Sequence, residues 1–260
     1  MPHLTLVTPA ARVARSGALG GQDAGALLPL REGILNHIAE RGQAHRFPLT
    51  PQQVVHDVRQ VMPEDGIVCL DNGMYKIWFA RNYRTHVANT LLLDNALATM
   101  GAGLPAAIAV AILHPRRRVL AVCGDGGFMM NSQEMETAVR LRLNVVVLVL
   151  QDDAYGMIRW KQQVDGFPDF GMTFGNPDFA AYARAHYAKG SRVQTADGLV
   201  PALEAAFREG GVHLIVAPIG YTENIRVLVD ELRSAALDSQ AETRSSTSRS
   251  SALRRAPAHL

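Results

Sequence analysis

Two stretches decide the fold: Gly124-Asp125-Gly126-Gly127-Phe128 and Gln151-Asp152-Asp153-Ala154. Each follows a continuous apolar run, Val119 to Cys123 in the first case and Val145 to Leu150 in the second. Short apolar runs bounded by turn residues are typical of strands buried in a parallel sheet. Because an open α/β sheet binds its ligand at the carboxyl ends of the strands, both stretches should bring aspartates to that edge.

The residue types in these stretches indicate a diphosphate and a divalent cation. A lone Gly-Asp-Gly is most often just a turn, because glycine accepts positive φ and aspartate bonds the nearby backbone. A Gly-rich turn that leads into a helix can also bind phosphate, and carboxylates beside it are ligands that Mg²⁺ prefers. The strand–turn–helix–strand order favours this second interpretation.

The segment between the two stretches predicts a single helix. Asn131 or Ser132 can serve as its N-cap, and Glu134 and Glu136 fall in the first turn. Apolar residues then repeat at helical spacing, at Met135, Ala138 and Val139.

Composition limits the class of protein. The chain has 260 residues, of which 48% are hydrophobic, as is typical of a soluble globular protein. A net charge of +2 gives no indication of nucleic-acid binding. No apolar run reaches the roughly 18 residues of a membrane helix, and the first residues do not resemble a secretory signal. Cys69 and Cys123 lie in apolar strand patterns, so we expect buried free thiols and a cytoplasmic protein.

The pattern along the chain predicts three regions. Residues 1–46 are interpreted as a linker or disordered arm with a short helix over 31–41, residues 47–236 as the folded domain, and residues 237–260 as a disordered basic Ser/Arg tail. Within the domain, strands alternate with helices. We therefore expect an α/β fold with a doubly wound, mainly parallel sheet and helices on both faces.

Two segments of this domain carry further expectations. Leu97–Leu113 is rich in small apolar residues and predicts a closely packed helix. Residues 155–176 contain four glycines and one proline, Pro168, and predict a long irregular loop. Long loops at the ligand edge of a sheet usually serve function.

The motifs resemble those of thiamin-diphosphate enzymes, and closely those of the acetolactate synthase (acetohydroxyacid synthase) large subunit. They are Leu97 to Ala107, Gly124 to Glu134 and Asp152 to Met157, with support from Asn176 to Phe179 and Tyr221 to Asn224. The resemblance covers only the C-terminal, diphosphate-binding domain of that family.

The resemblance implies a metal site and a diphosphate site. Mg²⁺ would be held by Asp125, Asp152 and the main-chain carbonyl of Ala154. The cofactor-binding residues would fall in three groups: Gly73, Met74 and Tyr75; Gly124, Asp125, Gly126 and Gly127; and Tyr155, Gly156 and Met157.

The resemblance also implies a site for the rings of the cofactor. Met100, the one residue assigned to catalysis, would lie under the thiazolium and impose the bent cofactor conformation. The backbones of Ala98 and Met100 would bond the aminopyrimidine edge. These contacts would hold the reacting parts of the cofactor close together.

The implied activity is that of a Mg²⁺-dependent transferase acting on 2-oxo acids. Such a carboligase would convert pyruvate to acetolactate, a step of branched-chain amino acid biosynthesis. Two alternatives remain open: a different thiamin-diphosphate decarboxylase or carboligase, and a non-catalytic, truncated cofactor-binding subunit.

Two departures from the family affect these expectations. Gln151-Asp152 stands where the family has an Asn pair or Asn-Asp. Family members also carry a pyrimidine-binding domain whose glutamate activates the cofactor, and Glu32 and Glu40 lie in the wrong context to replace it. We therefore expect the chain to supply the diphosphate half of the site, as a split subunit, a truncation or a fragment. It would form a homodimer or pair with a pyrimidine-binding domain.

Overall fold

The computed structural model describes residues 27–231. The chain divides into two compact units, Met1–Gly220 and Tyr221–Leu260. The arm predicted before residue 27 and the tail predicted over 237–260 lie outside the described residues. In the second unit, a π-helical turn spans Arg226–Asp230, and the Arg226 side chain donates to Glu223 just before it at 2.8 Å.

The first unit contains a six-stranded, wholly parallel sheet, which confirms the predicted α/β class. Its strands are β1 (Ile67–Leu70), β2 (Leu91–Leu93), β3 (Val119–Gly124), β4 (Val145–Gln151), β5 (Lys189–Arg192) and β6 (Val212–Pro218), arranged in the order β2-β1-β3-β4-β6-β5. The four inner strands are almost entirely buried, as expected where helices cover both faces of a parallel sheet.

Helices connect and flank these strands. They are α1 (Leu28–Ala39), α2 (Pro51–Val61), α3 (Met74–Asn82), α4 (Gly103–Leu113), α5 (Asp125–Met130), α6 (Glu134–Arg140), α7 (Gly156–Val164), α8 (Phe179–Ala185) and α9 (Leu199–Glu209). Local sequence explains the start of α2, where the Thr50 side chain accepts a hydrogen bond from Gln53 N–H and Pro51 takes the first helical position. Within residues 27–231, no helix is long and apolar enough to cross a membrane.

The core lies between the sheet and its helices. Phe128 packs edge-on against Phe179 at 5.6 Å between ring centroids, and Met135 is fully buried beside them. Cys69 and Cys123 are free and buried, as predicted. Burial raises the pKa of the Cys69 thiol to about 12, so this thiol stays protonated.

The strand order reverses between β1 and β3. From β1 the chain moves outward to β2, and from β3 it moves in the opposite direction to β4. Such a reversal in a parallel sheet opens a crevice at the carboxyl ends of the two strands, where ligands of this fold class bind. Gly124 at the end of β3 lies opposite Leu150 of β4, so the two stretches that decide the fold end side by side.

The prediction of one helix capped at Asn131 or Ser132 is wrong. The chain becomes helical at Asp125 and forms α5, and α6 begins only at Glu134 with Gln133 before it and no side-chain cap. The Asn131 side chain bonds other partners than the helix amides: its Nδ2 donates to the main-chain oxygen of Gly101 at 2.8 Å, and its Oδ1 accepts from Gln133 Nε2 at 3.5 Å.

Two further boundaries differ from the sequence-based expectation. The helix predicted to begin at Leu97 begins at Gly103, because Ala98 and Gly101 have φ of 50° and 87°, which a right-handed helix excludes. The loop predicted over residues 155–176 contains α7. Pro168 and three of the four glycines that suggested a loop occur after this helix has ended.

Candidate functional site

The Asp125 carboxylate is held rigidly at the tip of β3. The residue is 1% exposed, and its Oδ1 accepts from Gly126 N–H at 2.9 Å. Its Oδ2 accepts from Asp153 N–H at 2.8 Å and from Asn176 Nδ2 at 2.8 Å. Burial raises the pKa of Asp125, and the hydrogen bond from Asn176 opposes this shift. The carboxylate therefore has one orientation, set by bonds from the loops around it.

Asp153, to which the sequence assigned no role, connects Asp125 to the loop after β4. Its backbone adopts φ of 54°, in the left-handed region. Its Oδ1 accepts from Gln151 Nε2 at 2.6 Å and from Asn176 Nδ2 at 2.7 Å. Arg192 of β5 donates in turn to Gln151 Oε1 at 2.7 Å. This network fixes the loop on both sides of Asp152.

Asp152 lies at the tip of β4, next to the tip of β3. Burial, and after it the negative charge of Asp125, raise the pKa of Asp152 to about 7. The structure thus brings the two predicted metal-binding carboxylates to adjacent strand ends, where their charges interact.

The oxygen donors at this edge fit a hard cation. Within residues 27–231, no group of three or more His, Cys, Asp or Glu side chains could hold a metal ion. The predicted set needs only two, since its third ligand is the main-chain carbonyl of Ala154. The Oδ1 atom of Asn176 is also buried there and accepts no hydrogen bond from the described residues. A carboxylate with a raised pKa is stabilised by a nearby cation, so Asp125 and Asp152 are suited to one.

The predicted cofactor residues fall at three neighbouring strand tips. They are Gly73, Met74 and Tyr75 after β1, Gly124, Asp125, Gly126 and Gly127 at the end of β3, and Tyr155, Gly156 and Met157 after β4. The Tyr75 ring lies over Gly124, and the Tyr155 ring lies over Gly126, so the three groups meet.

Packing explains why the turn after β3 contains glycines. A Cβ atom added to each glycine would lie too close to a side chain. The added Cβ would be 3.1 Å from the Tyr75 ring at Gly124, 2.8 Å from the Tyr155 ring at Gly126, and 2.4 Å from Asp71 Oδ2 at Gly127. The sequence-based interpretation attributed these glycines to the approach of phosphate. Their neighbours give a second and independent reason for the absence of side chains.

Ala98 and Met100 lie in a loop that hydrogen bonds attach to the residues after β2 and after β1. The Asp94 carboxylate accepts from Thr99 N–H at 3.4 Å, and Ala98 has a left-handed backbone. Asn72, which follows β1, donates from Nδ2 to the main-chain oxygen of Thr99 at 2.8 Å. The segment predicted to face the cofactor rings is therefore tied by hydrogen bonds to the residues that follow β1 and β2.

The segment that contains α7 is closed at its base by main-chain bonds. Tyr155 N–H donates to Met172 at 2.9 Å, and Phe174 N–H donates to Asp153 at 3.2 Å. The rings of Tyr155 and Phe174 lie 4.8 Å apart. These contacts hold the loop after β4 independently of the rest of the segment.

Three residues of this edge were missed as site residues: Asp71, Asp153 and Asn176. Asp71 ends an apolar strand and precedes Asn-Gly, the same pattern that singled out Asp125. Asn176 belongs to a motif that supported the resemblance, yet nothing in its local sequence indicates a partner 51 residues away. Only the folded chain shows that contact.

The raised pKa of Asp152 predicts that acid stabilises the ligand-free chain. The folded-state pKa of about 7 lies above the ordinary value of 3.8, so the folded chain holds this proton more tightly than the unfolded chain. The ionised Asp152 carboxylate therefore lowers the free energy of unfolding. This loss of stability is fully present above pH 7 and disappears as the pH falls toward 4. We expect a melting temperature about 2 to 6 °C higher at pH 5.5 than at pH 8.

Asp152→Asn should reduce this pH dependence, because the substituted residue does not titrate. Asp165→Asn, at an exposed position just after α7, provides the control. Thermal unfolding followed by circular dichroism measures both. Equal pH dependence in the Asp152→Asn variant and the unmodified chain would contradict the assignment.

Comparison with known proteins gives a family match and related sequences. The model of the family described as thiamine pyrophosphate enzyme, C-terminal TPP binding domain, matches residues 71–217. The chain is 38% identical over 173 residues to the putative thiamine pyrophosphate-containing protein YdaP of Bacillus subtilis. The alignment covers 66% of this chain and 30% of that protein. It is also 35% identical over 182 residues to the catabolic acetolactate synthase of Raoultella terrigena. This alignment covers 70% of this chain and 33% of that protein. The chain spans about a third of the length of these relatives.

A solved structure shows the same fold. The thiamine diphosphate-dependent 4-hydroxybenzoylformate decarboxylase of Rhodococcus jostii RHA1 superimposes with a TM-score of 0.63 at 23% identity. The match covers 67% of this chain and 33% of that one.

Proposed function

The chain belongs to the thiamine pyrophosphate enzymes, whose C-terminal binding domain it matches over residues 71–217, and on this premise we propose that it holds thiamine diphosphate through Mg²⁺. The site would lie at the tips of β1, β3 and β4, in a domain extending over residues 47–236. The observation that carries the proposal is the Asp125 carboxylate, held by hydrogen bonds beside Asp152, whose pKa is raised by burial and by the neighbouring charge of Asp125.

The metal would be bound by oxygen atoms of the chain. Asp125 and Asp152 would provide carboxylate oxygens and Ala154 its main-chain carbonyl, and the diphosphate would complete the coordination. Asn176 and Asp153 would hold the Asp125 carboxylate in place through their hydrogen bonds of 2.8 Å to Oδ2. Such supporting hydrogen bonds orient ligands and tune metal affinity.

The other predicted residues would orient the cofactor. The main chain at Gly73, Met74 and Tyr75 and the turn at Gly124, Gly126 and Gly127 would face the diphosphate. Ala98 and Met100 would contact the rings, and Tyr155, Gly156 and Met157 would border the site. When bound, thiamine diphosphate supplies the electron-accepting chemistry that lets a 2-oxo acid lose CO₂, while the protein contributes binding and orientation.

The proposed activity is that of an acetolactate synthase-like carboligase that uses pyruvate. Support comes from the catabolic acetolactate synthase of Raoultella terrigena among the relatives. The likeness to a 4-hydroxybenzoylformate decarboxylase concerns the fold only, and decarboxylation without carboligation is the second candidate. Product analysis with pyruvate distinguishes acetolactate from acetaldehyde.

The chain would act together with a pyrimidine-binding domain in the cytoplasm, as a homodimer or with a separate partner. A cofactor held at one sheet edge leaves its rings exposed unless a second surface covers them. The 2-oxo acid would reach the cofactor between these two surfaces.

The direct test is the Mg²⁺ dependence of cofactor binding. With thiamine diphosphate at about 100 times its dissociation constant and Mg²⁺ present, we expect the melting temperature to rise by about 5 to 10 °C. EDTA should abolish the shift, and thiamine without its diphosphate should give none. Calorimetric titration measures the same affinity directly, and a shift unaffected by EDTA would contradict the metal-mediated site.

A further inference from the structure

Asp71 is a fully buried carboxylate at the tip of β1. It is 0% exposed, and its Oδ1 accepts from the N–H groups of Asn72 at 2.7 Å, Gly101 at 2.8 Å and Ala102 at 3.1 Å. Its Oδ2 is buried and accepts no hydrogen bond from the described residues. One oxygen therefore organises two segments of backbone that are about 30 residues apart.

Two glycines make room for this side chain. A Cβ atom on Gly103, the first residue of α4, would lie 2.7 Å from Asp71 Cβ. A Cβ atom on Gly127, in α5, would lie 2.4 Å from Asp71 Oδ2. The Asp71 side chain thus lies between the first turns of two helices, and no larger residue than glycine fits on either side.

The segment bound by Asp71 is the one that carries Ala98 and Met100. Gly101 has φ of 87°, so its N–H reaches the carboxylate from a turn that most residues avoid. The main-chain oxygen of Gly101 accepts from Asn131, just after α5, at 2.8 Å. Asp71 is therefore at the junction of the β1 tip, the segment 97–102 and the glycine turn.

We propose that Asp71 is a positioning residue that fixes the segment 97–102 relative to the glycine turn 124–127. This arrangement would hold the ring-binding and diphosphate-binding parts of the site at the separation that one cofactor molecule requires. The inference rests on the proposed function for its ligand, but the ordering of the segment is a property of the chain alone. Burial raises the pKa of Asp71, and the backbone amides around it, of Asn72, Gly101, Ala102 and Gly103, oppose that rise.

Hydrogen exchange of the full chain without ligand tests the ordering. In Asp71→Ala, the amides of Gly101 and Ala102 should exchange at least about tenfold faster, because their acceptor is gone. Asp71→Asn keeps a carbonyl acceptor and should lie between this variant and the unmodified chain. Asp57→Asn is the matched control, since Asp57 is also buried and has its pKa raised by burial, but it contacts His56 on α2.

Calorimetry with two ligands tests the consequence for the site. Asp71→Ala should weaken thiamine diphosphate by about tenfold or more in the presence of Mg²⁺, and inorganic pyrophosphate by less than about threefold. Pyrophosphate has no rings and does not depend on the segment 97–102. A general loss of structure would weaken both ligands alike, so the ratio of the two affinities separates positioning from stability.

The outcomes test the positioning role of Asp71 and the proposed function separately. Unchanged exchange at Gly101 and Ala102, an equal loss for both ligands, or the same effects in Asp57→Asn would overturn the inference. If Asp71→Ala does not fold, the smaller but parallel changes in Asp71→Asn decide it. If the unmodified chain binds neither ligand while the exchange result holds, the proposed function fails and the ordering by Asp71 stands.

Discussion

Asp125→Ala is expected to weaken Mg²⁺-dependent binding of thiamine diphosphate by more than about a hundredfold, while the chain stays folded. Loss of a residue that merely supports a metal ligand typically costs about 10- to 100-fold, and Asp125 is proposed as a ligand itself. The substitution also leaves the donors of Asp153 and Asn176 without their acceptor. Those groups lie at the edge of the sheet, where water can replace the carboxylate, so we expect the strands to persist.

Calorimetric titration and circular dichroism measure these two effects separately. Asp125→Asn keeps the shape of the side chain but removes its charge, and it should also lose most of the affinity. Asp165→Ala is the control, because Asp165 is exposed and its ion pair with Lys161 spans 3.8 Å. Unchanged cofactor affinity in Asp125→Ala would show that the metal assignment is wrong.

The second large effect concerns catalysis by the chain alone. With Mg²⁺, thiamine diphosphate and pyruvate, we expect the isolated chain to turn over at less than about a hundredth of the rate of a complete relative, since loss of one acid–base group typically costs that much. The family resemblance assigns this group to a glutamate of the pyrimidine-binding domain. Among residues 27–46, Glu32 on α1 and Glu40 just after it are both exposed to solvent. A carboxylate that activates the cofactor has to lie in a site closed to water, so neither residue suits this role.

The control is the catabolic acetolactate synthase of Raoultella terrigena, assayed under the same conditions. Addition of a separate chain that carries a pyrimidine-binding domain should restore turnover if the two halves assemble. Clear turnover by the isolated chain would refute the argument from the missing glutamate. Product analysis in the restored assay would then distinguish carboligation from decarboxylation.

The sheet could be predicted from the sequence because its inner strands are recognisable from their local sequence alone. Val119 to Cys123 and Val145 to Leu150 are continuous apolar runs, and each observed strand extends only one residue beyond its run. A strand buried on both faces needs apolar residues at every position, so such runs are unambiguous when turn residues bound them. The adjacent ends of β3 and β4 follow from parallel pairing.

Features that depend on distant contacts could not be predicted in this way. Asn131 has the residue type of an N-cap, but its amide bonds Gly101, 30 residues away. The segment 97–102 has the composition of a helix, yet the Asp71 carboxylate draws its amides into a turn. Local propensity is a weak guide wherever a buried polar group requires particular partners.

Main-chain hydrogen bonds close the segment between Asp153 and Phe174 at its base. The position of the strand tips therefore does not depend on how many residues the segment contains. Main-chain bonds join its two ends, while Phe167 and Phe170 near its far end are exposed. Insertions or deletions around these phenylalanines should therefore leave Asp152 and Asp153 undisturbed. This part of the molecule is accordingly a suitable place to graft foreign peptides.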